Sequence, residues 1–205
     1  MIYLLMKPIA KMILLCTFKI EMVGKERMPT GAVIIAANHI SSYDPIILSG
    51  TFSRKIHFLA KNELFSNHFS NWFLRKLHAV PVDRSSGIVI RPVRHVIKII
   101  RRGDIFGIFP EGKRCKIGEN VKPKKGVAFF GSKTGAPILP VAIVRKGKGR
   151  YRTSIKIIIG EPIDPSRFSD FDYDDLSQFV MTRIKELGEQ HSTIQMIGGT
   201  SEHAH

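Results

Sequence analysis

One uninterrupted apolar run constrains the fold of this chain more than any other feature. Residues 32–37 read A-V-I-I-A-A, with no polar side chain among them. A strand that is buried on both faces of a parallel sheet has this continuous apolar pattern. The run therefore predicts a central parallel strand. The residues that follow it are expected at the sheet edge where open α/β folds bind their ligands.

Strand and helix patterns alternate along the rest of the chain. Strands are predicted at residues 18–24, 32–37, 56–60, 80–82, 105–109, 138–144 and 154–159. Helices are predicted at residues 46–52, 89–102, 126–133 and 174–189. A further helical pattern follows residue 65 and continues through residue 77. This order predicts an α/β domain over residues 18–191, with a mostly parallel central sheet flanked by helices. Residues 192–205 show no pattern and are expected to form a disordered tail.

The first 17 residues are apolar but carry two lysines. Lys7 and Lys11 fall on one face of a helix, and no uncharged stretch approaches the roughly 18 residues of a membrane-spanning helix. Residues 1–17 are therefore predicted to form an interfacial membrane helix, with its apolar face in the lipid. The alternative is a helix that packs on the protein's own core.

The chain is strongly basic, with 32 Lys and Arg against 17 Asp and Glu and a net charge of +15. Such a surface attracts nucleic acid, anionic lipid head groups or acidic carrier proteins. Nucleic acid is not expected as a partner, because the chain lacks zinc-ligand spacing and an aromatic RNA-binding strand. Cys16 and Cys115 match no metal spacing and are too few for a disulfide scaffold, which favours a reducing cytosolic location.

A histidine and an aspartate follow the apolar run directly. Residues 38–44 read N-H-I-S-S-Y-D, so His39 and Asp44 lie in the loop that leaves the predicted central strand. A histidine can accept a proton from a hydroxyl near neutral pH, and a carboxylate on its other ring nitrogen fixes the tautomer. No Ser or Cys nucleophile is needed if the substrate supplies the hydroxyl. The spacing alone is weak evidence, because such pairs often arise by chance.

Basic residues follow the neighbouring predicted strands. Lys61 follows the strand at 56–60, Arg84 follows the strand at 80–82, and residues 111–114 (E-G-K-R) follow the strand at 105–109. If these strands are parallel, all of these loops open at the same sheet edge as the His–Asp pair. Cations beside that pair suit a substrate with a phosphate near its reacting hydroxyl. Ordinary surface charge is the alternative in a chain this basic.

The loop after residue 109 offers four candidate substrate-binding residues. Lys113 and Arg114 supply positive charge, and Gly112 allows a close approach of the backbone to a ligand. Glu111 lies where it can orient Arg114 or a substrate hydroxyl.

Four blocks of the sequence resemble those of the glycerolipid acyltransferases, the 1-acylglycerol-3-phosphate acyltransferase group. In the family order, they are N-H-I-S-S-Y-D at 38–44, K-N-E-L-F at 61–65 with V-P-V-D-R at 80–84, F-P-E-G-K-R at 109–114, and A-P-I-L-P-V-A-I at 136–143. The resemblance spans about residues 20–165, and four ordered blocks are far more specific than any one of them.

The resemblance implies the transfer of a fatty acyl group from an acyl-CoA or acyl-carrier-protein thioester to lysophosphatidic acid, which makes phosphatidic acid. His39 would be the base and Asp44 its partner. Lys61, Arg84 and Arg114 would bind the phosphate, and Glu111 would help to place the glycerol.

The resemblance also implies that no metal or cofactor is needed beyond the acyl thioester. Bacterial members of the group bind the membrane through N-terminal helices. The expected location is therefore the cytoplasmic face of the cell inner membrane, as a peripheral or monotopic protein on anionic lipids.

Three residues depart from the family pattern. Lys113 stands where Thr is usual, Cys115 where Ser is usual, and His78 where a Gly is usual. These departures leave the acceptor open, so an acyltransferase for another lysolipid or an amine is one alternative. A non-catalytic protein that binds anionic lipids is another, although lipid binding alone requires neither His39 nor Asp44.

Overall fold

A seven-stranded sheet forms the centre of the protein. The computed structural model describes residues 17–83, 90–116, 119–148, 152–168 and 172–198. The strands are β1 (Phe18–Val23), β2 (Val33–Ala37), β3 (Ile56–Lys61), β4 (Val80–Val82), β5 (Ile105–Ile108), β6 (Ile138–Lys148) and β7 (Thr153–Ile159). The helices are α1 (Asp44–Thr51), α2 (His68–Lys76), α3 (Ile90–Arg101), α4 (Gly126–Thr134) and α5 (Tyr173–Gly198). Short 3₁₀ turns occupy Lys25–Arg27, Asn62–Phe65 and Pro165–Arg167.

The strand order is β1-β7-β6-β2-β5-β3-β4. Strand β2 lies in the middle of the sheet, where Ile35 pairs with Gly107 of β5 on one side and with Leu139 of β6 on the other. Both neighbours are parallel to β2, and all five of its residues are buried. The predicted α/β fold with a mostly parallel central sheet is therefore confirmed.

Alternate residues of β2 point into two separate apolar layers. Val33 and Ile35 pack on one side of the sheet with Ile47 and Leu48 of α1. On the other side, Ile34 and Ala36 belong to a cluster that includes residues of α3, α4 and α5. Burial of each large aliphatic side chain stabilises the fold by about 1.5–3 kcal/mol, which explains why a strand with helices on both faces is apolar throughout.

Two strands run against the direction of the others. Strand β7 is antiparallel to β6, and β1 is parallel to β7. Only four residues separate the end of β6 from the start of β7, and a parallel connection requires a dozen or more. As a result, the amino end of β1 lies at the same sheet edge as the carboxyl ends of β2, β3, β4 and β5.

The last helix is longer than the sequence predicted. It continues to Gly198, beyond the predicted end at residue 189 and into the segment expected to be a tail. Residues 199–205 and residues 1–16, with most of the predicted interfacial helix, lie outside the described residues, so the domain limits stay predictions. None of the described helices is long and apolar enough to cross a membrane.

Candidate active site

His39 and Asp44 are hydrogen-bonded at the carboxyl end of β2. Nδ1 of His39 lies 2.9 Å from Oδ2 of Asp44. The same oxygen accepts backbone N–H bonds from Ile40 at 2.8 Å and from Ser41 at 2.7 Å. Asp44 is 1% exposed, whereas the side chain of His39 is 17% exposed. A buried carboxylate thus fixes the imidazole, so that Nε2 is the ring nitrogen available to take a proton from a substrate.

Local sequence explains how Asp44 reaches this position. Asp44 is the first residue of α1, and its backbone N–H donates to the carbonyl of Ser41 in a tight turn. Pro45 follows in the first turn of the helix, where its missing N–H and fixed φ are tolerated. A carboxylate in the first turn is also favoured by the helix dipole. The turn therefore brings the Asp44 side chain back beneath the loop that carries His39.

The loop after β5 holds the backbone of His39 from both sides. The N–H of His39 donates to Oε2 of Glu111 at 2.7 Å, and the N–H of Cys115 donates to the carbonyl of His39 at 2.8 Å. Glu111 is 6% exposed, and its burial raises the pKa of that carboxyl even though the bond from His39 acts in the opposite direction. Glu111 is therefore a positioning residue for His39, and its predicted contact with the substrate stays a prediction.

An aromatic stack supports one face of the His39 ring. The ring of Phe109 lies 4.1 Å from the imidazole, centroid to centroid, and is nearly parallel to it. Phe58 stacks in turn on Phe109 at 5.6 Å. Gly107 makes room for this arrangement, because a Cβ there would collide with the ring of Phe58. Phe109 is not among the site residues predicted from the sequence, although it is the first residue of the third block.

Asn38 is a second functional residue that sequence reasoning missed. Its Nδ2 donates to the carbonyl of Ile143 at 3.0 Å, and its Oδ1 accepts the N–H of Ile143 at 2.7 Å. This pair of bonds fastens the end of β2 to β6, one residue before His39. The only signal in the sequence was its position as the first residue of the N-H-I-S-S-Y-D block.

Arg114 lies against the loop that carries the His39–Asp44 pair. Its Nη1 donates to Oγ of Ser42 at 2.6 Å, which joins the third block to the first. Gly112, two residues earlier, has a φ of +69°, and a Cβ there would lie 2.9 Å from Cγ of Lys124. Glycine is therefore favoured by the turn itself. The predicted approach of a ligand to Gly112 is a separate expectation that the turn does not test.

The other predicted cations have different surroundings. Lys61 is the exposed last residue of β3, at the same sheet edge as His39. Nζ of Lys113 lies 2.7 Å from Oε1 of Glu119, so its charge is paired within the same loop. Arg84 lies outside the described residues. The phosphate contacts of all three stay predictions.

Comparisons with known proteins decide the family. Residues 19–144 match the model of the acyltransferase family. A 1-acyl-sn-glycerol-3-phosphate acyltransferase of Bacillus subtilis is 33% identical over 186 residues, which cover 86% of this chain and 92% of that protein. This chain belongs to the 1-acyl-sn-glycerol-3-phosphate acyltransferase family. Another member, from Borreliella burgdorferi, is 31% identical over 193 residues and covers 89% of this chain and 77% of that protein.

A solved structure of the same family has the same fold. The crystal structure of the LPA acyltransferase PlsC from Thermotoga maritima matches with a TM-score of 0.72 and 30% identity. The match covers 91% of this chain and 76% of that chain. The resemblance based on four sequence blocks is therefore confirmed, and so is the enzyme type.

Two departures from the family pattern have a structural account. Cys115 is buried, which raises the pKa of its thiol, and its Sγ lies 3.7 Å from the carbonyl of Lys113. Its contact with His39 is through the backbone, so a serine there would make the same contact. His78 has a φ of +56°, a left-handed conformation that glycine adopts without strain. The usual family glycine therefore fits the turn better than His78 does.

Proposed function

We propose that this acyltransferase moves a fatty acyl group from an acyl-CoA or acyl-carrier-protein thioester to the free hydroxyl of lysophosphatidic acid, making phosphatidic acid. The observation that carries the proposal is the hydrogen bond between His39 and the buried Asp44. A carboxylate with three N–H donors on one oxygen is suited to hold a base in place. The choice of acceptor is supported by the names of the relatives and by the position of Arg114.

The geometry of the pair supports general-base catalysis by His39. Nε2 of His39 takes the proton from the acceptor hydroxyl while the hydroxyl oxygen attacks the thioester carbon. Asp44 stabilises the imidazolium that forms. The tetrahedral intermediate then collapses, the C–S bond breaks, and the leaving thiolate takes the proton from His39. The hydroxyl proton ends on the thiol, and the reaction requires neither a metal nor a further cofactor.

We propose that Arg114 binds the phosphate of the acceptor. Its bond to Ser42 uses one N–H and fixes the guanidinium beside the loop of His39. A guanidinium has five N–H donors, so the others can still bind phosphate oxygens. Lys61, Arg84 and Lys113 are proposed as additional cations around the same phosphate, and Gly112 as part of the loop that approaches it.

We place the enzyme at the cytoplasmic face of the cell inner membrane, as a peripheral protein on anionic lipids. The net charge of +15 attracts such a surface. The acceptor has a long acyl chain, and an enzyme at the bilayer surface meets it without extracting it from the lipid.

A panel assay tests this function. Purified protein is incubated with labelled acyl-CoA or labelled acyl carrier protein and with one acceptor at a time: lysophosphatidic acid, other lysophospholipids, or an unphosphorylated monoacylglycerol. We expect phosphatidic acid as the main product, and His39→Ala serves as the control for background transfer. A faster reaction with another acceptor would assign the enzyme to that lysolipid. Lipid binding without transfer to any acceptor would favour the non-catalytic alternative.

A further inference from the structure

The exposed large apolar side chains of the described residues all come after the carboxyl ends of parallel strands. They are Tyr43, Leu64, Phe69, Trp72 and Ile90. Tyr43 follows β2, the next three follow β3, and Ile90 begins the helix after β4, so each follows the carboxyl end of a parallel strand. Single exposed apolar residues are normal on a protein surface. Their concentration beyond one sheet edge, the edge of the His39–Asp44 pair, is the unusual feature.

Helix α2 accounts for much of this apolar surface. None of its nine residues is buried. Phe69 is 75% exposed and Trp72 is 38% exposed, and their rings lie 6.2 Å apart. Phe73 stacks beside Phe69 at 6.4 Å, so the three rings form one aromatic face at helical spacing. The helix is well capped, because Oδ1 of Asn67 accepts the N–H of Ser70 at 2.7 Å.

The charges around this face favour an anionic partner. Lys61 and Arg75 are exposed and lie before and after the aromatic residues in the sequence, and Lys76 follows Arg75. Glu63 is the one acidic residue between positions 61 and 76. Aromatic side chains with flanking cations are typical of surfaces that lie in the interface of an anionic bilayer. A second copy of a chain with a net charge of +15 would be repelled.

The predicted interfacial segment joins the fold at the same edge. Strand β1 runs opposite to β2, so residue 17 enters the sheet beside the active-site loop, where the ring of Phe18 lies 6.1 Å from that of Tyr43. Strand β1 is one end of the sheet and β4 is the other. Because six strand spacings of about 4.8 Å lie between β1 and β4, these two strands are about 29 Å apart. Residue 17, which the predicted interfacial segment precedes in sequence, and α2 therefore lie on opposite sides of the His39–Asp44 pair.

We propose that residues 62–76 form a second membrane-binding surface, in which Leu64, Phe69 and Trp72 enter the interface of an anionic bilayer. Together with residues 1–17, this surface turns the sheet edge that carries His39 toward the lipid. An acceptor in the bilayer then presents its head group directly to the site. The inference concerns how the protein is held on the membrane and does not depend on which lysolipid is the acceptor.

Trp72 is the only tryptophan in the chain, so its fluorescence reports on this surface alone. The full-length protein is mixed with vesicles of phosphatidylglycerol and phosphatidylcholine, with and without brominated acyl chains. We expect the Trp72 emission to shift to the blue and to be quenched by the brominated lipid. Vesicle binding that leaves the emission of Trp72 unchanged would overturn the proposal, and this measurement needs no variant.

Variants then measure how much the surface contributes. The double variant Phe69→Ser with Trp72→Ser should weaken vesicle binding by about tenfold or more, because two aromatic side chains no longer enter the interface. Its melting temperature and its activity on a detergent-dispersed acceptor should stay close to those of the wild type. The matched control, Phe69→Trp with Trp72→Phe, keeps both aromatic residues and should bind as the wild type does.

A second pair of variants tests the charge. Arg75→Gln should weaken binding to anionic vesicles by about fivefold, the value for one cation at the surface. Lys133→Gln at the end of α4, near the opposite sheet edge, should change it little. If the double serine variant unfolds, the aromatic face packs on the protein's own chain. If it instead dissociates a dimer in sedimentation, the face binds a second copy. Either result would refute the membrane assignment.

Discussion

Asp44→Asn is the substitution for which the structure makes the sharpest prediction. Asparagine has the same shape as aspartate but no charge, and it has one oxygen and one NH₂ group to place. Three N–H donors point at Oδ2 of Asp44, from His39, Ile40 and Ser41. Oδ1 is buried and has no hydrogen-bond partner. The amide oxygen should therefore take the Oδ2 position, since an NH₂ group there would face three donors.

This orientation sets the size of the loss. With the amide oxygen at Oδ2, Nδ1 of His39 still donates, the tautomer stays correct, and only the charge that stabilises the imidazolium is lost. Replacing a charged by a neutral hydrogen bond costs about 1–1.5 kcal/mol. The full Coulomb attraction at about 4 Å is about 4 kcal/mol near a protein surface. The rate of acyl transfer should therefore fall by about 10- to 1000-fold. A flipped amide would force the wrong tautomer and cost about 10⁴-fold.

The assay is kcat for acyl transfer at saturating thioester and acceptor, with the melting temperature as a control for folding. Asp44→Ala is the companion variant, because it also leaves the N–H groups of Ile40 and Ser41 without their acceptor and should destabilise the loop. A loss near 10⁴-fold in Asp44→Asn would show that the three donors do not fix the amide. Activity within a factor of two of the wild type would refute the role of Asp44 altogether.

Further variants test the surroundings of the pair and the turn before β4. Arg114→Ala should raise the KM for lysophosphatidic acid by about 10- to 150-fold, the value of a charged hydrogen bond, and change the KM for the thioester little. Ser42→Ala is the control, because it removes the bond between the two residues and keeps the guanidinium. Equal losses of activity on lysophosphatidic acid and on a monoacylglycerol would show that Arg114 only holds the loop. Glu111→Gln keeps an acceptor for the N–H of His39 and should lower kcat by less than tenfold, whereas a larger loss would mean that its charge acts in the reaction. Burial lowers the pKa of His78, so stability should fall as the pH drops below about 6.5, the unfolded value. His78→Gly should make the free energy of unfolding in urea less dependent on pH, and it should relieve left-handed strain of about 1–2 kcal/mol. An unchanged dependence on pH would show that His78 is not its source.

The features that could be predicted from sequence are those encoded locally. Residues 32–37 are apolar throughout because β2 is covered on both faces, and that pattern is visible without the fold. His39 and Asp44 lie in one turn between β2 and α1, so five residues of sequence were enough to pair them. The four family blocks gave the order of the loops around them.

The features that could not be predicted depend on contacts between distant segments. Glu111 reaches the N–H of His39 across 72 residues, and Asn38 reaches Ile143 across 105. Whether Glu111 faces a substrate or the backbone depends on the register of β2 and β5, which no local pattern specifies. The pairing of Lys113 with Glu119 likewise depends on how the loop turns back on itself.

Single-turnover acyl transfer to lysophosphatidic acid by His39→Ala, compared with the wild type, tests whether His39 is the base. The substitution removes the proposed base but leaves the backbone bonds of residue 39 to Glu111 and Cys115 possible. We expect the rate to fall by about 10²–10⁴-fold, the usual contribution of a general base, while the melting temperature and vesicle binding stay close to those of the wild type. A rate within a factor of two of the wild type would contradict the proposed mechanism.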